Sequence, residues 1–370
     1  MEWRINTSLP VDYIVKLSKD VLNPNNNTIA VSTSTGNGGS NRRLVVVDKK
    51  VNEIYNDKIT AYFEHYKLEA HYVIIDGIER HKSTGTLFLL LNEMEQFGVS
   101  RRDECVIGIG GGVVLDVVGL AATLYRRGVP YFRIPTTLLG IVDVSIAAKT
   151  GINYEGRRNR LGSYYPPVAS LLDPMFIQTQ ESVDISSGLG EILKMAVIKD
   201  ATLFSYLEHH GADLLALKFD HTLANDVIAM AIQGMKEELE NNLWEHNLER
   251  CVDFGHSFSP IIEMRSLATD APLGHGQAVV IDIILSCIIA NMRGLLSVTD
   301  SGRITNTAKA MGLAVVHPMF KDVSLLLESL NDTVKHRGDN QNLPMPDGIG
   351  KYPFINDLTF EEICQAARKL

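Results

Sequence analysis

Short apolar runs alternate with helical patterns through the first half of the chain, and that alternation leaves few architectures open. The runs are LVVV (44–47), HYVII (71–75), CVIGI (105–109), YFRI (131–134) and ASLL (169–172). Between them, residues 51–65, 84–97 and 113–124 place apolar side chains at helical spacing. Strands this apolar, joined through helices, imply a parallel sheet covered on both faces. After about Thr179 the runs stop, and helical patterns take over at 188–197, 201–217, 223–243, 277–292 and 323–330. The expectation is an α/β domain over residues 1–178 followed by an all-α domain over residues 179–370. Two polar stretches, 23–27 and 32–41, read as exposed loops flanking a short N-terminal hairpin.

At 370 residues the chain is long enough for two such units, each with its own core. Apolar residues make up 45% and charged residues 21%, which excludes wholesale disorder. The formal charge of −9 tells against nucleic acid as a partner, because a phosphate backbone rewards a basic surface. A small anionic ligand would have to be held by local clusters of cations. The four cysteines, Cys105, Cys251, Cys287 and Cys364, show no CxxC spacing and suit a reducing cytoplasm. Met1-Glu2-Trp3-Arg4 opens without the apolar stretch of a secretory signal. The most apolar run, 278–292, is shorter than the roughly 20 residues that cross a bilayer and contains Asp282. It reads as a buried helix, and no membrane contact is expected.

Several residues carry possible chemistry. Gly110-Gly111-Gly112-Val113 follows a strand and opens a helix, where a bare backbone can approach a pyrophosphate and free N–H groups can hold it. A tight strand-to-helix turn needs the same glycines, and Val113 breaks the GxGxxG pattern. Asp116 lies one turn into that helix. Arg126-Arg127 and Arg157-Arg158-Asn159-Arg160 are basic clusters whose guanidinium forks match phosphate. Pro135-Thr136-Thr137 leaves a strand end, the edge of a parallel sheet where ligands lie. Asp143 and Lys149 flank small and apolar residues, so they need partners if buried. Glu191 and Lys194 share a helical face three residues apart, the spacing of a plain salt bridge. A carboxylate such as Glu191 with two imidazoles, His256 and His275, is also an open zinc set.

In order and spacing, the blocks GGGVVLDVVG (110–119), YRRG (125–128), IPTTLLGIVDVSIAAKTGIN (134–153), RNRLG (158–162), GLGEILK (188–194), DFGHSFSP (253–260) and HGQAV (275–279) resemble the dehydroquinate synthase superfamily, the sugar phosphate cyclases. The resemblance covers about residues 48–357. It implies a Rossmann-like first domain, a helical second domain, NAD and a divalent metal, normally Zn2+ with Co2+ as an alternative. Carried over position by position, the metal ligands would be Glu191, His256 and His275. The dinucleotide would lie against Asp48, Glu79, Lys82, Gly111, Gly112, Val113, Asp116, Thr136, Thr137, Lys149, Arg158 and Thr179. Asp143, Lys149, Asn159, Lys194 and Lys236 would serve the substrate and the catalytic apparatus. Arg127 matches a phosphate ligand donated across a dimer interface, which implies a homodimer. Lys335-His336-Arg337 would supply another substrate cation.

Two departures set the chain apart from dehydroquinate synthase itself. Pro260 stands at the second histidine of that enzyme's GHxxGH stretch, and Asp253 replaces an asparagine. The DFGHSFSP, KTGIN and RNRLGSYYPP stretches look instead like the sedoheptulose 7-phosphate cyclases, and KTGIN and GSYYPP among them like the 2-epi-5-epi-valiolone synthases. The implied activity is that of a carbon–oxygen lyase acting on phosphate. Transient oxidation, β-elimination of phosphate, reduction, ring opening and aldol closure would cyclise sedoheptulose 7-phosphate. The alternatives are synthesis of desmethyl-4-deoxygadusol, 2-epi-valiolone or 3-dehydroquinate. A metal-dependent polyol or glycerol-phosphate dehydrogenase, sharing the two-domain plan, is the reading from a different class.

Overall fold

A computed structural model of the chain describes residues 1–34 and 40–370. The first half runs β1 (Ile14–Leu17), α1 (Thr28–Ser32), β2 (Arg42–Asp48), α2 (Lys49–His65), β3 (Glu69–Ile75), α3 (Thr84–Phe97), β4 (Val106–Gly110), α4 (Gly112–Leu124) and β5 (Tyr131–Pro135). A hairpin, β6 (Lys149–Tyr154) and β7 (Arg157–Tyr164), then leads into β8 (Ala169–Leu172). The strands form one parallel sheet in the order β1-β8-β5-β4-β2-β3, with β6 and β7 as a separate antiparallel ribbon. Strand β2 shows why its run is apolar throughout. Leu44 and Val46 enter the core on one face of the sheet, and Val45 and Val47 enter the core on the other.

The second half holds α5 (Ser182–Ile198), α6 (Ala201–Ala216), α7 (Ala224–Glu240), α8 (Ser259–Ser266), α9 (His275–Met292), α10 (Val298–Ala310), α11 (Val323–His336) and α12 (Phe360–Lys369), with a short pair β9 (Leu343–Pro344) and β10 (Phe354–Ile355). Helix α9 is long and apolar enough to cross a membrane, yet it sits in the middle of this half, packed against α5, α8, α10 and α12. Each fully buried leucine or isoleucine on it contributes roughly 1.5–3 kcal/mol. Several helix ends are capped as their sequences dictate. Asp48 accepts from Lys50 and Val51 N–H at the start of α2, and Thr359 and Glu362 form a reciprocal capping box on α12.

Among the described residues no N-terminal hairpin forms, and the segment between the two polar stretches is helix α1. Residues 14–17 instead extend the main sheet, pairing parallel to β8 from Ile14–Ala169 to Leu17–Leu172, because β8 leaves an open edge there. The polar stretch 23–27 is a set of turns held by its own asparagines, with Asn25 N–H donating to Asn23 Oδ1. Of the stretch 32–41, Ser32 closes α1, Ser40 and Asn41 lead into β2, and residues 35–39 lie outside the described residues.

One contact places the rest of the helical half. A Cβ on Gly190 of α5 would lie 2.8 Å from Gly276 O, and a Cβ on Gly276 of α9 would lie 2.0 Å from Ser187 O. The two backbones therefore touch, and Gly276 N–H donates to Ser187 Oγ at 2.8 Å. Gly276→Ala should force the helices apart and cost about 1–3 kcal/mol, an overpacking penalty. Gly302→Ala on α10, where nothing lies within 4 Å of the added carbon, should instead stabilise by about 0.4–1 kcal/mol. Thermal melts of the two variants side by side test this, and equal midpoints would contradict the close crossing.

Candidate active site

Two adjoining cavities open where the strands end. The larger, about 740 Å³, lies at the C-terminal ends of β2, β4 and β5, against Asp48, Gly111, Gly112, Thr136 and Thr137. The smaller, about 560 Å³, runs between the β6–β7 ribbon and α8 and α11. Asp116 and Arg158 line both.

In the larger cavity the backbone is kept bare. A Cβ at Gly111 would sit 3.2 Å from Thr137 Cγ2, and one at Gly112 would sit 3.1 Å from Val144 Cγ2. No side chain caps the start of α4, so its first N–H groups face the cavity unspent. Val113, Glu79, Lys82, Asp143 and Thr179 complete the wall. Lys82 is buried and donates to Asp116 Oδ2 and Asn159 Oδ1, both at 2.6 Å. It thereby ties the larger cavity to the ribbon. Asp143 is held above the usual carboxylate range, first by burial and then by the neighbouring Glu191 charge.

Glu191, His256 and His275 converge, with one donor atom from each lying within 4.8 Å of the others. Glu191 Oε1 is 3.1 Å from His275 Nε2 and 3.7 Å from His256 Nε2. Both Glu191 oxygens are sealed from solvent without a well-directed hydrogen bond, although Lys194 Nζ approaches Oε2 to 2.5 Å. Such an orphaned carboxylate between two imidazoles fits a divalent cation. Burial alone would raise the Glu191 carboxyl, but Lys194 and the two imidazoles outweigh it and hold it well below its usual range. Lys194, which burial would lower, is kept above the ordinary lysine value by Glu191 and Asp143.

The two imidazoles differ in a way that also suits a cation. His256 falls to about 3, chiefly through burial, so its ring is neutral at pH 7. Its Nδ1 donates to Phe254 O at 3.1 Å, which leaves the Nε2 lone pair facing Glu191. His275 is lowered by burial and by Arg158, yet Glu263 and Glu191 carry it up to about 9. A site that pulls a proton onto a buried ring is electrostatically prepared for a metal ion.

In the smaller cavity Arg158, Asn159 and Lys149 line one wall and His256, Pro260 and Arg337 the other. Asp253 is held at about 2; burial opposes this, and Arg337 and Arg250 overcome it. The three form a closed set, with Arg250 Nη2 at 2.7 Å and Arg337 Nε at 3.3 Å from the carboxylate. Arg337 is thus the member of the Lys335-His336-Arg337 segment that turns fully inward, while Lys335 is exposed. Glu245 reaches in from the loop after α7 to Lys149 Nζ at 2.5 Å, Tyr164 Oη at 2.9 Å and Arg250.

Two expected residues reach neither these cavities nor the Glu191 cluster. Lys236 points outward from α7 and pairs with Glu240 at 2.7 Å, since its helical phase faces solvent. Buried Arg250 stands in the cleft instead. Arg127 is exposed in a left-handed turn, φ 63°, and lines neither cavity of its own chain. Glu245, Arg250, Glu263 and Asp282 are functional neighbours that sequence reading passed over. Asp282 accepts from Phe258 and Ser259 N–H at 2.6 and 2.8 Å and so pins the turn that carries His256. A lone acid in the apolar run 278–292 was the signal for it.

The 3-dehydroquinate synthase N-terminal profile matches residues 72–187 and the C-terminal profile matches residues 188–336. The chain belongs to the dehydroquinate synthase superfamily. Within that superfamily it is 41% identical to a 2-epi-5-epi-valiolone synthase of Actinomyces sp, over 100% of this chain and 97% of the relative. It is 34% identical to a demethyl-4-deoxygadusol synthase of Trichormus variabilis (strain ATCC 29413 / PCC 7937), over 89% and 81%. Among solved structures, ValA, a 2-epi-5-epi-valiolone synthase from Streptomyces hygroscopicus subsp. jinggangensis 5008 with NAD+ and Zn2+ bound, superposes with a TM-score of 0.94. It is 44% identical and covers 99% of each chain. A superfamily fold of this kind joins a parallel sheet to a helical half, which is the architecture expected from the sequence.

The Lys82 cluster yields a direct prediction. Asp116→Ala strands a buried ammonium and should cost about 3–5 kcal/mol in chemical denaturation, with Asp116→Asn costing less because its amide oxygen still accepts. A loss under about 1 kcal/mol, the value of an exposed pair, would show that Lys82 finds other solvation.

Proposed function

We propose that the chain cyclises sedoheptulose 7-phosphate to 2-epi-5-epi-valiolone with release of phosphate, acting as a carbon–oxygen lyase. The observation that carries this reading is the Asp253 carboxylate locked onto Arg250 and Arg337 in the substrate cavity. With Glu245 also paired to Arg250, two carboxylates offset the two guanidinium charges, so that end of the cavity suits a hydroxymethyl group better than the carboxylate of a dehydroquinate synthase substrate. Pro260 beside it offers no donor. Identity of 41% with a valiolone synthase against 34% with a demethyl-4-deoxygadusol synthase supports the choice of product.

Glu191, His256 and His275 would hold the zinc, and the glycine-lined cavity would hold NAD. Bound there, NAD supplies a reversible hydride acceptor and zinc the Lewis acidity that makes a substrate hydroxyl easier to deprotonate. The chain's own groups do the rest. Asp143, raised by burial, is suited to move a proton at a substrate hydroxyl. Lys194 stays charged beside Glu191 and Asp143 and stabilises negative charge developing on substrate oxygen. Lys149, Arg158 and Asn159 line the wall where a phosphate dianion would be gripped. Lys82 fixes Asn159 and Asp116 in place from behind. These cations act locally, because salt screens the distant net charge of −9 beyond roughly 8–10 Å.

The exposed Arg127, left out of its own chain's cavities, would complete the phosphate site of a neighbouring copy in a homodimer. Four free cysteines accord with a cytoplasmic setting.

Incubation with sedoheptulose 7-phosphate, NAD+ and Zn2+ or Co2+ should release one phosphate per cyclitol with no net NADH, the product being assigned by NMR. Net accumulation of NADH would point to a dehydrogenase, and turnover of 3-deoxy-arabino-heptulosonate 7-phosphate to a dehydroquinate synthase. Lys194→Ala should keep its zinc and lose at least about 100-fold in kcat; near-normal turnover would remove Lys194 from the catalytic set.

A further inference from the structure

Glu263 lies on α8, four residues past the start of that helix, and its side chain is 3% exposed. Its Oε2 is 3.0 Å from His275 Nδ1 and 3.1 Å from Arg158 Nη1. Arg158 Nη1 is itself only 2.6 Å from the same ring nitrogen. Two groups thus compete at His275 Nδ1, a carboxylate that can only accept and a guanidinium that can only donate.

Which of them prevails decides what the opposite nitrogen can do. If Nδ1 donates to Glu263, a neutral His275 ring keeps its lone pair on Nε2, the atom 3.1 Å from Glu191 Oε1. If Arg158 donates to Nδ1 instead, the ring proton sits on Nε2 and blocks it as a ligand. At His256 a backbone carbonyl, Phe254 O, already settles the same choice. At His275 only a side chain does. We propose that Glu263 is a positioning residue that fixes the metal-competent tautomer of His275 and, through the same oxygen, draws Arg158 off that ring and parks it between the two cavities. The outer carboxylate is then as necessary to the centre as a ligand, although it touches neither metal nor substrate.

The proposal rests on the zinc reading above, so wild-type zinc binding is its control. Zinc affinity of the full chain is measured by competition with a chromophoric chelator, and ligand geometry by the visible absorption of the Co2+-loaded protein. Glu263→Ala should weaken zinc about 10- to 100-fold and shift the cobalt bands. Glu263→Gln, whose amide oxygen still accepts from Nδ1, should recover most of the affinity. It should nevertheless raise KM for sedoheptulose 7-phosphate, because an uncharged amide no longer holds the Arg158 guanidinium in place between the cavities. The double variant Glu263→Ala/Arg158→Ala should bind zinc more tightly than Glu263→Ala alone, since the competing donor is gone. Wild-type affinity and an unchanged cobalt spectrum in Glu263→Ala would overturn the proposal alone. A wild-type chain that takes up no zinc would overturn it together with the zinc reading. If Glu263→Ala does not fold, Glu263→Gln decides: unchanged zinc affinity with a raised KM supports the proposal, and unchanged KM overturns it.

Discussion

The site depends on two helices meeting at bare backbone. Ser187 and Gly190 on α5 and Gly276 on α9 leave no room for larger side chains at the crossing. The residues next to these glycines, Glu191 and His275, are therefore carried to within 3.1 Å of each other. Side chains in between would set the axes at the usual 8–10 Å helix spacing, with the functional groups further apart. His256 is brought in by a third element, a turn held at its far side by Asp282 of the same α9. One buried helix thus supplies one imidazole of the cluster at its first residue and anchors the second from within.

Burying this much charge is tolerable only because it is paired. Glu191 with Lys194, Asp253 with Arg250 and Arg337, Lys82 with Asp116, and Glu263 with Arg158 are each sealed or nearly so. Isolated, any of these charges would cost several kcal/mol. Together they form a scaffold in which moving one group exposes another. Polar networks of this type give little net stability but a defined arrangement, which suits a centre that must hold cofactor, metal and substrate in register. Arg133 in the sheet is held differently, by carbonyl oxygens. Fully buried, it donates to the carbonyls of Val144, Ala147 and Lys149 and so fixes the segment between Asp143 and Lys149.

The sheet and the main helices were legible in the sequence because burial on both faces writes itself as unbroken apolar runs. Residues 169–172 and 84–97 form elements with the bounds read from pattern alone. The β6–β7 ribbon was not legible. Its second strand is polar and largely exposed, with Arg157, Asn159 and Arg160 reading as a cationic loop. Strand β1 was hidden for the related reason that an edge strand buries little. Glu191, His256, His275 and Thr136 could be named from motif blocks, since each sits beside a glycine or proline that constrains the backbone. Lys236 could not be excluded from spacing, because one residue of helical phase separates a cleft-facing lysine from an exposed one. Glu245 and Glu263 escaped notice because their significance lies in contacts across 81 and 105 residues of chain, to Tyr164 and Arg158.

The central claim is that three distant side chains close on a single ion next to the glycine-lined cavity. An anomalous difference map recorded at the zinc absorption edge, from crystals grown with NAD+ and Zn2+, reads this directly. The account predicts one strong peak within coordination reach of Glu191, His256 and His275 together. A map with no peak there, or with zinc bound by other residues and the three side chains turned apart, would contradict it.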